Sequence, residues 1–197
     1  MKRRTIQQGF TLIESVVAIV MIAFAVLILS RFLLPAVTQS AAPYYQTRAV
    51  ALANAVMSEI VARQFDHHSD PHSIERCDPN VSQCTDPSRL GWEAGEEGKP
   101  ILFNDVDDYL ADQIARGKSC WGDVAMCAPL PSQGTIDQLL PGDHHHYANF
   151  AVTIAVYYDA SFDGQAEATQ GNHKRIDVTV MTAAHGSYGV SAYRSNY

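Results

Sequence analysis

Gly9-Phe10-Thr11-Leu12-Ile13-Glu14-Ser15 opens the segment on which the reading of this chain turns. From Phe10 to Leu34 the sequence is apolar except at Thr11, Glu14, Ser15, Ser30 and Arg31, and Val16 to Leu29 is unbroken. As a helix rising about 1.5 Å per residue, that stretch extends roughly 37 Å, enough to cross a hydrocarbon core of about 30 Å. Lys2, Arg3 and Arg4 precede it with no acid among the first nine residues. Basic flanks stay in the cytoplasm, so everything after Arg31 is expected on the far side of the membrane.

A secretory signal cut near Ser40-Ala41-Ala42, a plain single-span anchor, and a cleaved leader joined to a packing helix all satisfy that hydropathy. Glu14 separates them. A carboxylate inside an apolar helix costs about 2.5 to 3.5 kcal/mol at mid-bilayer, less near an end. Neither a signal nor a simple anchor gains from that cost.

The segment from Gly9 to Ser15, behind a short basic leader, resembles the cleavage signal of type IV prepilins and type II secretion pseudopilins. The resemblance implies cutting after Gly9 by the prepilin peptidase/N-methyltransferase, methylation of the new amine on Phe10, and an assembly role for Glu14 as the fifth mature residue. The chemistry suits the residues. Glycine leaves the scissile bond unobstructed. Cleavage creates an α-amine with a reference pKa of about 7.7 to 8.0, and once apolar helices pack together a neighbouring subunit's Glu14 can neutralise it.

Pro35 and Pro43 follow the lipid-length part, and each removes a backbone donor, so a bend or break is expected there. From Thr47 the pattern turns amphipathic: Ala49, Leu52, Ala53, Val56, Met57 and Ile60 recur at offsets of three and four. This half of the helix is expected to lie on a globular head, and the periodicity ends at Asp66 to Asp70. Toward the C-terminus, Phe150 to Tyr158 and Ile176 to Thr182 alternate as strands, and Tyr188 to Arg194 does so more weakly. Three antiparallel strands follow, with a polar loop from Asp159 to His173 and a tight turn near His185-Gly186-Ser187. Packing one face of the sheet on the helix gives an α+β, pilin-like fold.

Between Asp66 and His146 the chain is irregular and needs fastening. Four cysteines allow three pairings. The local pairs Cys77/Cys84 and Cys120/Cys127 are preferred, each adding roughly 2 to 3 kcal/mol in an oxidising compartment. A four-cysteine zinc site is disfavoured, because its paired ligands normally stand two to four residues apart. His67, His68, Asp70 and His72, and again Asp143 with His144, His145 and His146, offer imidazole and carboxylate, but adjacent residues seldom converge on one ion, so solvated loops are expected. Asn104-Asp105-Val106-Asp107-Asp108-Tyr109 looks like calcium chemistry yet lacks the sixth-position glycine and distal glutamate of an EF-hand, and reads as a turn with exposed carboxylates. No metal site, no cofactor and no catalytic nucleophile is expected.

Hydrophobic types make up 47% of the chain and charged types 18%, so a core can form. The 197 residues hold 14 Lys plus Arg against 21 Asp plus Glu, a formal net charge of -7, which argues against nucleic acid as a partner. Loss of Met1 to Gly9 removes three of the 14 basic residues and no acid, taking the balance to -10. Ala51-Leu52-Ala53, Met57-Ser58-Glu59-Ile60, Phe103 to Tyr109 and the terminal Ala192-Tyr193-Arg194-Ser195-Asn196-Tyr197 resemble the D-type minor pilins of mannose-sensitive haemagglutinin (MSHA) pili.

The expected organisation is a leader peptide at 1–9, a transmembrane and filament-core helix at 10–34, an amphipathic helical half at 35–65 and a head at 66–197. The resemblance implies a minor pilin-like subunit, a single-pass inner-membrane protein before assembly and a pilus component afterwards. Its expected partners are the prepilin peptidase, other major and minor pilins, and the inner membrane. A minor pseudopilin of a type II secretion system is the nearest alternative, and a membrane-anchored metal-binding protein a more distant one.

Overall fold

Helix α1 runs from Leu12 to Val61 in the computed structural model, which describes residues 11–69, 76–81, 83–110, 117–140 and 147–197, with the side chains of 33–41 and 81 left aside. Thr11 starts the helix: its carbonyl accepts from the Ser15 N–H at 3.2 Å and its hydroxyl from the Glu14 N–H at 3.4 Å. Thr11 is thus an N-cap and Glu14 the third helical residue, where a carboxylate also suits the positive helix end. Of the bend or break expected at Pro35 and Pro43, the break does not occur, since the helix continues through both. Helix propagation is cooperative, so good helix formers on either side carry the backbone past a lost donor.

The chain divides into two compact units, Met1–Tyr44 and Tyr45–Tyr197. In the first, Ser15 Oγ and Ser30 Oγ donate to the Leu12 and Leu27 carbonyls at 2.8 and 2.9 Å. Their hydroxyls therefore need no water, as an apolar surrounding demands.

The second unit is built on four antiparallel strands in the order β1-β2-β3-β4: β1 Lys118–Gly122, β2 Phe150–Tyr158, β3 His173–Thr182 and β4 Gly186–Ser195. The three C-terminal strands occupy the expected positions. β1 is additional, and it pairs Cys120 with Thr153 and Trp121 with Val152. Five residues, preceded by Gly117 and ending on Gly122, give too short an alternation to be legible. Gly122 is obligatory there: at φ 122° a Cβ would stand 2.7 Å from the Phe150 carbonyl oxygen.

The head-packing part of α1 buries Ala49, Leu52, Ala53, Val56, Met57 and Ile60, the expected stripe, within one core that includes Val152, Ile154, Val156, Ile176, Val178 and Val180 of the sheet. Each large aliphatic so buried contributes about 1.5 to 3 kcal/mol. A parallel bridge joins Gln64 to Asp105, with Gln64 N donating to Asn104 O and Val106 N to Gln64 O, both at 3.1 Å. It lays the 103–109 segment beside the end of α1. Phe103 then stacks its edge against Tyr109 and Trp121, with ring centroids 5.0 and 6.4 Å apart. Short helices α2, Val124–Cys127, and α3, Ile136–Leu139, complete the connection between β1 and β2.

Candidate functional site

Gly9 and Phe10 lie outside the described residues. The helix that follows them bears Glu14 in its first turn, exposed, and then Leu12–Phe32, a 21-residue span of mean hydropathy 2.9 with none of it buried. At about 1.5 Å per residue it covers roughly 31 Å, the thickness of a hydrocarbon core. A soluble core helix hides such a surface inside its own fold. Here every large apolar side chain from Leu12 to Phe32 faces outward, as a membrane or neighbouring helices would require.

The head contains a polar centre that the sequence did not announce. Lys174 is wholly buried in β3, and its ammonium donates to the Phe65 carbonyl at 2.7 Å, to Asp66 Oδ2 at 3.1 Å and to Asp107 Oδ1 at 2.6 Å. The ammonium also stands 4.7 and 5.3 Å from the ring centres of Phe65 and Tyr158, where the aromatic faces attract a cation. Burial disfavours its charge, but Asp107, Asp105 and Asp66 together raise its pKa above the ordinary lysine value. Asp66 is fully satisfied: Oδ1 accepts from the His68 N–H, and Oδ2 accepts from the Thr85 N–H as well as from Lys174.

Burial pushes the Asp66 carboxyl up, yet Lys174 and the N–H groups of Thr85 and His68 outweigh it and hold the pKa at about 2. The sign follows from that depression. Asp66 contributes about 2 kcal/mol of stability that is fully present above its unfolded value near 4 and is lost as pH falls toward 2. In acid denaturation followed by circular dichroism, Asp66→Asn should therefore show a shallower loss of stability between pH 4 and 2 than wild type. Equal slopes would contradict this assignment.

The carboxylates of the 103–109 segment are buried, not exposed as the sequence pattern suggested. Asp105, Asp107 and Asp108 are each 0% accessible, because the bridge to Gln64 folds the turn inward. Asp107 uses both oxygens, on Lys174 and on the Gly91 N–H. Asp105 Oδ1 accepts from the N–H groups of Asp107 and Asp108, and Asp108 Oδ2 from those of Asn104 and Asp105. Their second oxygens, with Glu93 Oε2, are buried without a hydrogen bond. Burial, aided by Glu96 and Asp107, pushes the Glu93 carboxyl up to about 7, and burial, aided by repulsion from Glu93 and Glu96 and opposed by the N–H groups of Asp105 and Asn104, pushes Asp108 up to about 8. Burial followed by repulsion from Asp107 likewise raises Asp105 well above the usual carboxylate range.

Two disulfides fasten this region. Cys77–Cys84 and Cys120–Cys127 have Cα separations of 4.8 and 5.6 Å, within the usual range. The second ties α2 to β1, and the Asn196 side chain donates to the Cys77 carbonyl at 2.7 Å, linking the first to the chain's end. Of the histidines, His68 Nδ1 lies 3.0 Å from Asp66 Oδ1, and His67 Nδ1 lies 3.2 Å from Asn104 Nδ2 and 3.7 Å from Glu93 Oε2. Asp70, His72, Asp143 and His144 to His146 lie outside the described residues. Sequence reading missed Lys174, Asp66 and Glu93. One signal was present: Lys174 falls in step with the inward-facing Ile176, Val178 and Val180, a charged residue at a core position.

Comparison with known families finds one match, to the prokaryotic N-terminal methylation motif over residues 4–30. No curated protein matches the chain, and no solved structure does. The matched stretch contains Gly9, Phe10 and Glu14 and ends inside the exposed apolar span. The methylation motif leads directly into an unburied apolar helix and is followed by an antiparallel α+β head, an arrangement that indicates a type IV pilin- or pseudopilin-like protein.

Proposed function

We propose that the chain is a minor, non-enzymatic subunit of a type IV pilus, cut after Gly9 by the prepilin peptidase, methylated on Phe10 and held in the inner membrane by residues 10–34 until assembly. It then joins other major and minor pilins in, or at the tip of, a pilus of the MSHA type on the cell surface, where it supports assembly and attachment. The observation that carries this reading is the wholly exposed apolar helix with a single acid in its first turn, directly behind the methylation motif. Such a helix serves twice, first against lipid and then against other helices. Ala18, Ala23 and Ala25 let neighbours approach closely in either setting. The resemblance of short segments, Phe103 to Tyr109 and Ala192 to Tyr197 among them, to those of D-type minor pilins supports the MSHA reading over a type II secretion pseudopilus. Recovery of the chain in purified pili or in the secretion complex separates the two.

Glu14 is the residue proposed to recognise a neighbour's N-terminal amine. Its own N–H is already capped by Thr11, while its carboxylate is exposed to whatever packs on the helix start. Glu14→Ala should leave cleavage intact but reduce incorporation into sheared filaments by about tenfold or more, since a buried amine left unpaired costs several kcal/mol. Immunoblots of filament and membrane fractions read both effects. Wild-type incorporation of the variant would sink the pairing.

A further inference from the structure

We infer that the head binds one calcium ion through Glu93, Asp105 and Asp108. One oxygen from each of these three side chains lies within 4.8 Å of the other two. Ca2+ takes oxygen ligands at about 2.3 to 2.6 Å, so donors across it stand up to about 5 Å apart, and the triad fits around a single ion.

Proximity of acids alone would carry little. Among the described residues, the carboxylate oxygens buried without a partner are Asp105 Oδ2, Asp108 Oδ1 and Glu93 Oε2, one from each member of the triad. Asp105 and Asp108 are themselves 0% accessible, and each has its other oxygen fixed by two backbone N–H groups. The carboxylate planes are therefore held by the backbone, with one lone-pair edge of each left for a ligand. Orphaned buried oxygens cost about 1 to 3 kcal/mol each, more when charged, and call for an ion or a proton.

Charge balance points the same way. Four of the fully buried carboxylates, Asp66, Asp105, Asp107 and Asp108, belong to the region of the head that holds the one fully buried lysine among the described residues, Lys174. It contacts only Asp66 and Asp107. The remaining pair, with Glu93, has no cation in contact within the described head except the imidazole of His67, 3.7 Å from Glu93 Oε2. A divalent cation supplies the missing charge.

The donor chemistry selects the ion. All three ligands are hard carboxylate oxygens, and the four cysteines are consumed in disulfides, which disfavours zinc and copper. Magnesium demands near-octahedral ligands at about 2.0 to 2.1 Å and keeps most of its water, whereas calcium accepts irregular, carboxylate-rich sites. Of the three, Glu93 lines an open groove of about 1010 Å³ together with His67, Thr85 and Trp92, so an ion would enter past Glu93 toward the buried Asp105 and Asp108. The EF-hand template fails on this sequence because the third carboxylate comes from Glu93, upstream of Asp105, and not from a glutamate downstream.

The test uses the full mature chain in detergent micelles, freed of metal with EGTA and titrated with CaCl2 by calorimetry and thermal unfolding. The expected result is one equivalent bound, with a Kd of about 10⁻³ M or tighter, as in extracellular calcium modules. At ten times Kd the melting temperature should rise by about 3 to 5 °C. Magnesium at equal ionic strength should give under half of that rise. Asp108→Asn, and independently Glu93→Gln on the half-buried loop, should weaken calcium binding about tenfold or more. The assignment is overturned by no stoichiometric heat and no calcium-specific shift in the wild-type chain, or by unchanged affinity in whichever of the two variants folds.

Discussion

Lys174→Met is expected to destabilise the head by about 3 to 5 kcal/mol, because it removes the buried ammonium that pairs with both Asp66 and Asp107. The methionine fills much of the lysine's volume, so the loss reports the charge and not a cavity. The Phe65 carbonyl loses its donor in the same step. For a unit of this size the melting temperature should fall by about 6 to 20 °C. Buried ion pairs cost desolvation, and their value lies mainly in the partners they would leave exposed to each other. Combining Lys174→Met with Asp66→Asn and Asp107→Asn should accordingly recover a large part of the loss. Urea unfolding of the single and triple variants decides the matter. A single variant within about 1 kcal/mol of wild type would show that Lys174 does not hold the loops to the sheet.

Gly9→Ile should abolish processing and leave essentially all of the protein as uncut precursor in the membrane. A protease must draw the scissile bond into an extended conformation and approach it closely, and a β-branched side chain at that position obstructs both. The apolar span and the basic leader are untouched, so insertion and orientation should be those of wild type. Immunoblotting of membrane fractions distinguishes the two forms by the nine residues retained. Normal trimming of Gly9→Ile would remove Gly9 from its proposed role.

Different parts of the molecule were legible to different degrees. The apolar run and its Glu14 could be read directly, because hydropathy and a lone intramembrane acid are one-dimensional signals. The head-facing stripe from Ala49 to Ile60 and strands β2 and β3 were equally plain, each being longer than its own period, and β4 was legible more weakly. β1 was not, since five residues between loops carry no readable alternation. The sharpest difference lies at Asp105 to Asp108. Acid-rich sequence in a turn usually faces water, and only the long-range bridge to Gln64 and the approach of Lys174 from β3 turn these carboxylates inward. Both contacts span distances that no local pattern encodes. At Pro35 and Pro43 the break allowed for by local proline chemistry does not occur, because the helix on either side continues through both.

The measurement that tests the account most directly is the mass and N-terminal sequence of the mature protein isolated from the membranes of cells that make it. The account predicts a chain beginning at Phe10, one methyl group heavier than the unmodified polypeptide. A chain beginning between Ala41 and Pro43, or one that keeps Met1 to Gly9 in cells with an active prepilin peptidase, would contradict it.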